Sequence, residues 1–162
     1  MQKNLLVVFS NGKWRYPSFI RNVYYGGKIP WLQSGDIGSG EVSITSKTVS
    51  NAAIENISAL KIYASPFIAV AMYGASIANA SVVYIDACTN QACFVFSRPH
   101  KDIDLKYAYY ALLASKQELL LSSRGGTQPN ISQDIMKRLR IPVPPIQEQL
   151  EIVKSRRKNF RD

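Results

Sequence analysis

The stretch RGGTQPNISQDIMKRLRIPVPPIQEQ, residues 124–149, constrains this chain more than any other. Gly125 and Gly126 open backbone conformations closed to residues with a side chain, and Pro129 fixes its own φ, so the chain must turn sharply between Ser123 and Asn130. Asn130 or Ser132 can then cap a short helical turn through Ile135 and Met136. Ile141 to Pro145 cannot be helix, because Pro142, Pro144 and Pro145 remove amide donors and push their predecessors toward extended geometry. The segment from Ile146 onward can be helical. Pro145 stands beside its first turn, Glu148 and Glu151 come early, and Lys154, Arg156, Arg157 and Lys158 come late, the order a helix dipole favours. Ile146, Leu150, Val153 and Phe160 form an apolar stripe, interrupted by Arg157, that reads as a helix interface and the start of a coiled-coil seam. Isolated helices of under about a dozen residues are marginal in water, so this one needs something to lean on. The stretch closes a domain, residues 1–143, and launches a helix, residues 144–162.

Ahead of the hinge, the sequence predicts an α+β domain: a twisted, largely antiparallel mixed sheet with packed helices, from which the C-terminal helix projects. Leu5 to Phe9 is a strand candidate before an Asn11-Gly12 turn. Lys28 to Ile44 reads as two strands joined through Asp36 to Gly40, with Trp31 and Leu32 packing inward. Ser50 can cap a helix from Asn51 to Ile57. LKIY, FIAVAMY, SVVYI and CFVF then read as buried strands, with Gly74 at a tight bend. Asp102 or Asp104 begins the longest helical pattern, with Leu105, Ala108, Tyr109, Leu112 and Leu113 on one face and Leu119 and Leu120 extending it.

A length of 162 residues suits one domain, and 46% hydrophobic with 19% charged residues describes a globular chain. The net charge of +9 makes a polyanion the expected partner, against the plainer alternative of a soluble basic surface. Cys88 and Cys93 lie in apolar surroundings with only His100 nearby. Buried free thiols in a reducing cytoplasm therefore fit better than a zinc site, which needs a fuller ligand set. No stretch approaches the ~18–20 apolar residues of a membrane span, and a cytoplasmic protein is expected.

The words KIPWLQSGDI, MYGASIANA, ACTNQACFVF, GGTQPNIS and IPVPPIQEQLEIV occur in that order between about residues 26 and 153. Together they resemble one target-recognition domain of a type I restriction-modification DNA specificity subunit. The resemblance implies double-stranded DNA as ligand and methyltransferase (modification) and restriction subunits as partners. It implies adenine methylation performed by the partner with S-adenosylmethionine, so that this chain holds no cofactor and no metal. A full subunit of the family resembles two such domains, each followed by a long helix. One domain with the start of one helix could pair with a second copy or a second half-subunit through that helix and read a symmetric split site.

The residues themselves show no catalytic set. GSG at Gly38 to Gly40 lacks the lysine and hydroxyl of a nucleotide loop, and the acids are scattered without the carboxylate-carboxylate-lysine spacing of a metal-dependent nuclease. DNA binding is within their chemistry. Lysine and arginine hold phosphates, while amides, hydroxyls and arginine address base edges. Met1 to Gly35 carries bases without a single acid and interleaves them with aromatics, either as a DNA surface or as a core with a solvated rim. The candidates from this front part are Lys13, Arg15, Tyr16, Arg21, Tyr24 and Tyr25. Ser46, Lys47, Thr48 and Asn51 form a second group, and Tyr73 and Ser76 beside Gly74 a third. Arg124, Thr127 and Gln128 sit on the Gly-hinged loop, for which a purely structural turn capped by Asn130 is the competing reading. The rival function is a non-specific nucleic-acid-binding or protein-interaction domain.

Overall fold

The structure is a computed structural model and describes residues 2–4, 22–38, 40–97, 101–123 and 129–158. The Leu5–Phe9 strand, the Gly125–Gly126 turn and His100 lie outside these residues.

The centre of the fold is β5 (Phe67–Ala71), whose FIAVA is buried at every position. A run without polar alternation suits a strand covered on both faces. It lies antiparallel to both β6 (Ala80–Val83) and β8 (Cys93–Phe96), and β3 (Gly40–Val42) completes the sheet parallel to β6. Because side chains alternate along a strand, this sheet divides its residues between two cores. Ile68, Val70, Val82, Phe94 and Phe96 face one core, while Phe67, Ala69, Ala71, Val83, Cys93 and Val95 face the other.

Among the described residues, four helices cover the first face: α2 (Leu105–Ala114), α3 (Lys116–Ser122), α4 (Gln133–Arg138) and α5 (Ile146–Lys158). They contribute Tyr107, Ala108, Leu112, Leu119, Met136 and Val153 to the first core. Against the second face lies a three-stranded sheet in the order β4 (Lys47–Val49), β2 (Tyr25–Leu32), β7 (Cys88–Thr89). Leu32 turns inward to the second core. Trp31, its neighbour, turns outward into a third cluster with Val49, Ala53, Leu60 and Cys88 beneath α1 (Asn51–Asn56). A last pair, β1 (Gln2–Asn4) with β9 (Arg140–Pro142), is antiparallel. The expected mixed and largely antiparallel pairing is thus present, divided among three small sheets of the described residues. Of the expected strand LKIY only Tyr63 pairs, through an isolated bridge to Ala87, because Lys61 and Ile62 face solvent.

The cysteines belong to different cores, Cys88 beside Trp31 and Cys93 beside Leu32, on opposite faces of the three-stranded sheet. Both are free. Burial pushes each thiol up to about 12, which leaves them inert at neutral pH.

Three helices start where a capping side chain stands. Ser50, Asp104 and Ser132 accept from the amides of Ala53, Tyr107 and Ile135 respectively. The long helical pattern breaks at Ser115, whose φ of −81° and ψ of 0° leave the helix and whose hydroxyl donates back to the Ala111 carbonyl at 3.0 Å. α5 finds its support on the domain. Gln149 is fully buried: its Nε2 donates to the carbonyls of Asp102 and Pro144 and its Oε1 accepts from the Asp104 amide, each at 2.8 Å. Val153, one turn on, joins the first core. The expected seam therefore divides. At about 100° per residue, Gln149 and Val153 share the face turned to the domain, while Ile146 and Leu150 sit on an adjacent face, 39% and 43% exposed. Phe160 lies outside the described residues.

Candidate nucleic-acid interface

β2 and β4 build the interface from an irregular ladder. Tyr25 and Ile29 both oppose Val49, so the intervening residues bulge. Gly26 takes φ +71° there, and Gly27 passes so close to the next strand that a Cβ would meet Ser50 Cα and the Val49 oxygen at 2.4 Å. Past the bulge, Pro30 opposes Thr48 and Trp31 opposes Lys47. The bend brings the Tyr25 ring to 5.6 Å from that of Trp31. Tyr25, Trp31, Gln33 and Lys47 line a shallow groove of about 370 Å³, with a buried indole as its floor and an exposed ammonium at its edge.

Asp36 fixes one side of this groove. Its two carboxylate oxygens accept from the amides of Gln33, at 2.9 Å, and Ser46, at 3.1 Å. The loop before β4 is thereby tied to the end of β2, and Thr45 Oγ1 donates to the Lys47 carbonyl at 2.7 Å. A carboxylate beside a candidate phosphate surface would ordinarily oppose binding. Here two backbone donors hold the carboxylate in place and partly offset its charge.

A relay of hydrogen bonds joins this groove to the bend at Gly74. The Asn90 amide donates to the Leu32 carbonyl at 3.1 Å, and the Ala92 amide to Asn90 Oδ1 at 3.1 Å. The amide of Met72 donates to the Ala92 carbonyl, and that of Ile131 to the Met72 carbonyl, both at 2.8 Å. Tyr73 and Asn130 form an antiparallel bridge beside the last of these. The groove's rim, Lys47, Gln33 and Asn90, is thus linked through backbone bonds of the buried residues Ala92, Met72 and Ile131 to the Tyr73–Asn130 bridge. Gly74, at φ +85°, and Ala78, at φ +61°, shape the bend that carries Ser76. Lys116 Nζ donates to Asn79 Oδ1 at 2.7 Å and ties the bend to α3.

The structure therefore brings Tyr25 and Lys47 together; Thr48, the next residue, turns to the opposite face of β4, and Tyr73 and Ser76 stand at the far end of the hydrogen-bond relay. Tyr24 is half-buried against the third core and Tyr73 against the first, so each contributes an edge and not a free ring. Lys13, Arg15, Tyr16, Arg21, Arg124, Thr127 and Gln128 lie outside the described residues. Gln33, Asp36 and Asn90 belong to the rim without being among the sequence candidates. Gln33 carries one signal, its place directly after the apolar run Pro30–Leu32; Asp36 and Asn90 stand among other turn-forming residues and carry none. Among the described residues no group of His, Cys, Asp and Glu is placed to hold a metal ion, and no helix is long and apolar enough to cross a membrane.

The family model described as type I restriction modification DNA specificity domain matches residues 7–155. Among solved structures, a chain from work on complex assembly and conformational transition of the type I R-M system superposes with a TM-score of 0.65 at 19% identity. The match covers 88% of this chain and 34% of that one. The HsdS subunit from Thermoanaerobacter tengcongensis gives 0.59 at 18% identity, covering 84% of this chain and 32% of that one. The S subunit of a type I restriction-modification system from M. genitalium gives 0.56 at 19%, covering 85% and 33%. The chain spans about a third of the length of each of these structures.

Proposed function

Since the chain belongs to the type I restriction modification DNA specificity domain family, we propose that it reads one half of a bipartite DNA target and directs partner methyltransferase and restriction subunits to it. The observation that carries this reading is the family match over residues 7–155, which takes in both the rim and the first turns of α5. In this reading the chain binds and positions, and the partners supply catalysis and cofactor in the cytoplasm. Lys47 and the Tyr25 groove face the duplex, and Arg124, Thr127 and Gln128 add phosphate or base contacts of their own. The domain of residues 1–143 carries recognition. The helix from 144 presents Ile146 and Leu150 to a second helix, from another copy or another half-subunit, and so sets the distance between half-sites.

Expressing the chain with its methyltransferase subunits in a methylation-free host tests this directly. One split motif should become modified in genomic DNA, and only when the chain is present. Modification unchanged by omitting the chain, or binding to random duplex that simply collapses with salt, would favour the non-specific reading instead.

Lys47 gives a narrower expectation. Lys47→Ala should weaken binding to all duplexes alike and reduce the slope of log K against log salt by about one ion, the signature of a lost phosphate contact. A change of preferred sequence with an unchanged slope would place Lys47 on a base.

A further inference from the structure

Ile44 is the most exposed large apolar side chain among the described residues, at 81%. It does not sit on slack chain. At one end of its loop the Val42 carbonyl accepts from the Tyr84 amide at 2.9 Å; at the other, Asp36 holds the Ser46 amide and Thr45 holds the Lys47 carbonyl. A β-branched side chain on a pinned backbone has little freedom left to lose, so a contact made there costs little ordering. Its surroundings indicate what the contact is with. Lys47 is three residues away, and Gln33, on the groove wall, is joined to the same loop through one carboxylate. An exposed apolar tip on a pinned loop that also carries a cation suits the major-groove edge of duplex DNA, where the thymine C5 methyl lies with phosphates alongside.

Resting on the DNA-recognition reading above, we propose that Ile44 is a specificity-determining residue that packs against the methyl group of a thymine in the half-site. The contact selects thymine over cytosine at that position by apolar burial, while Lys47 sets the register on the neighbouring phosphate.

The test is a cycle between two methyl-bearing groups. The preferred duplex is first selected from a random pool with the complete chain, alone and with coexpressed methyltransferase subunits. Each thymine of that duplex is then replaced singly by deoxyuridine, which removes only the C5 methyl. One position should cost the native chain about fourfold in affinity, the worth of one buried methyl-sized group. The same replacement should cost Ile44→Ala nothing. Since Ile44 is exposed, Ile44→Ala should fold normally, and Leu121→Ala, an exposed apolar position on α3, should keep the full deoxyuridine penalty. A preferred duplex with no thymine whose methyl couples to residue 44 would overturn the proposal and leave the DNA-recognition reading standing. No preferred duplex under either condition would overturn both. Loss of methyltransferase assembly by Ile44→Ala, with its deoxyuridine pattern unchanged, would make Ile44 a protein contact and overturn the proposal as well.

Discussion

Gln149→Leu is expected to lower the melting temperature by roughly 10 °C and to release α5 before the rest of the domain unfolds. Leucine roughly fills the same space but strands the Asp104 amide and the carbonyls of Asp102 and Pro144, all of which Gln149 now satisfies. An unsatisfied buried group costs about 1–3 kcal/mol. Pro144 and Asp104 are half-buried and Asp102 is exposed, so water recovers part of that cost and about 3 kcal/mol remains. For a chain of this size each kcal/mol moves the midpoint by about 2–4 °C. The Asp104 amide is that of the α2 N-cap itself and Pro144 stands just before α5, so a single side chain joins the starts of both helices. Hydrogen exchange should therefore show α5 losing protection ahead of β5. A midpoint within about 2 °C of the native chain would mean that Val153 and the α2 contact hold α5 without Gln149.

The same residue shows where sequence reading succeeds and where it stops. Local signals are legible because their causes are local. Ser50, Asp104 and Ser132 cap the helices they precede, the proline-rich 141–145 segment is extended or irregular, and the runs in β5, β6 and β8 are buried strands. The need of α5 for a support is legible too, from its length. Its support is not, because glutamine inside a charged helix start looks like solvent-facing polarity until the Asp102 turn is brought against it from a distant part of the chain. Val153 falls on the outward stripe in the sequence for a related reason. Spacing shows which residues share a face, and only packing decides which of two adjoining faces meets the domain. At the candidate interface, Lys47 and Thr48 stand out by their chemistry. Ile44 does not, since in the sequence it closes the second strand of the Lys28–Ile44 pair, whereas β3 ends at Val42 and leaves it exposed. Asp36 is one acid among scattered acids in the sequence, and its structural role depends on amides three and ten residues away.

Gly27→Ala should be the most damaging single-methyl substitution on the β2–β4 ribbon, lowering stability by about 3 kcal/mol and reducing DNA binding with it. The added Cβ would lie 2.4 Å from Ser50 Cα and from the Val49 oxygen and 2.7 Å from the Ser50 nitrogen. All three are backbone atoms, so no rotamer change can relieve the overlap, and the strands must part. Two bonds then weaken beside the bulge: the Ser50 amide to the Tyr24 carbonyl at 3.0 Å, and the Ser50 hydroxyl to the Val23 carbonyl at 2.7 Å. Ser50 also caps α1, so the damage spreads into the third core through Ala53. Neighbouring glycines supply the controls. A Cβ at Gly26 meets open space but inherits φ +71°, which costs an L residue about 1 kcal/mol; at Gly35 it meets nothing and should change stability by less than about 0.5 kcal/mol. Urea midpoints for the three alanine variants should therefore fall in the order Gly27, Gly26, Gly35, from most to least affected. DNA affinity measured in the cold, where all three remain folded, should drop only for Gly27→Ala, because only that change moves Tyr25 and Lys47 apart. Equal midpoints for Gly27→Ala and Gly35→Ala would show that the two strands are not held at this separation, and the groove between Tyr25 and Lys47 would lose its rigid frame.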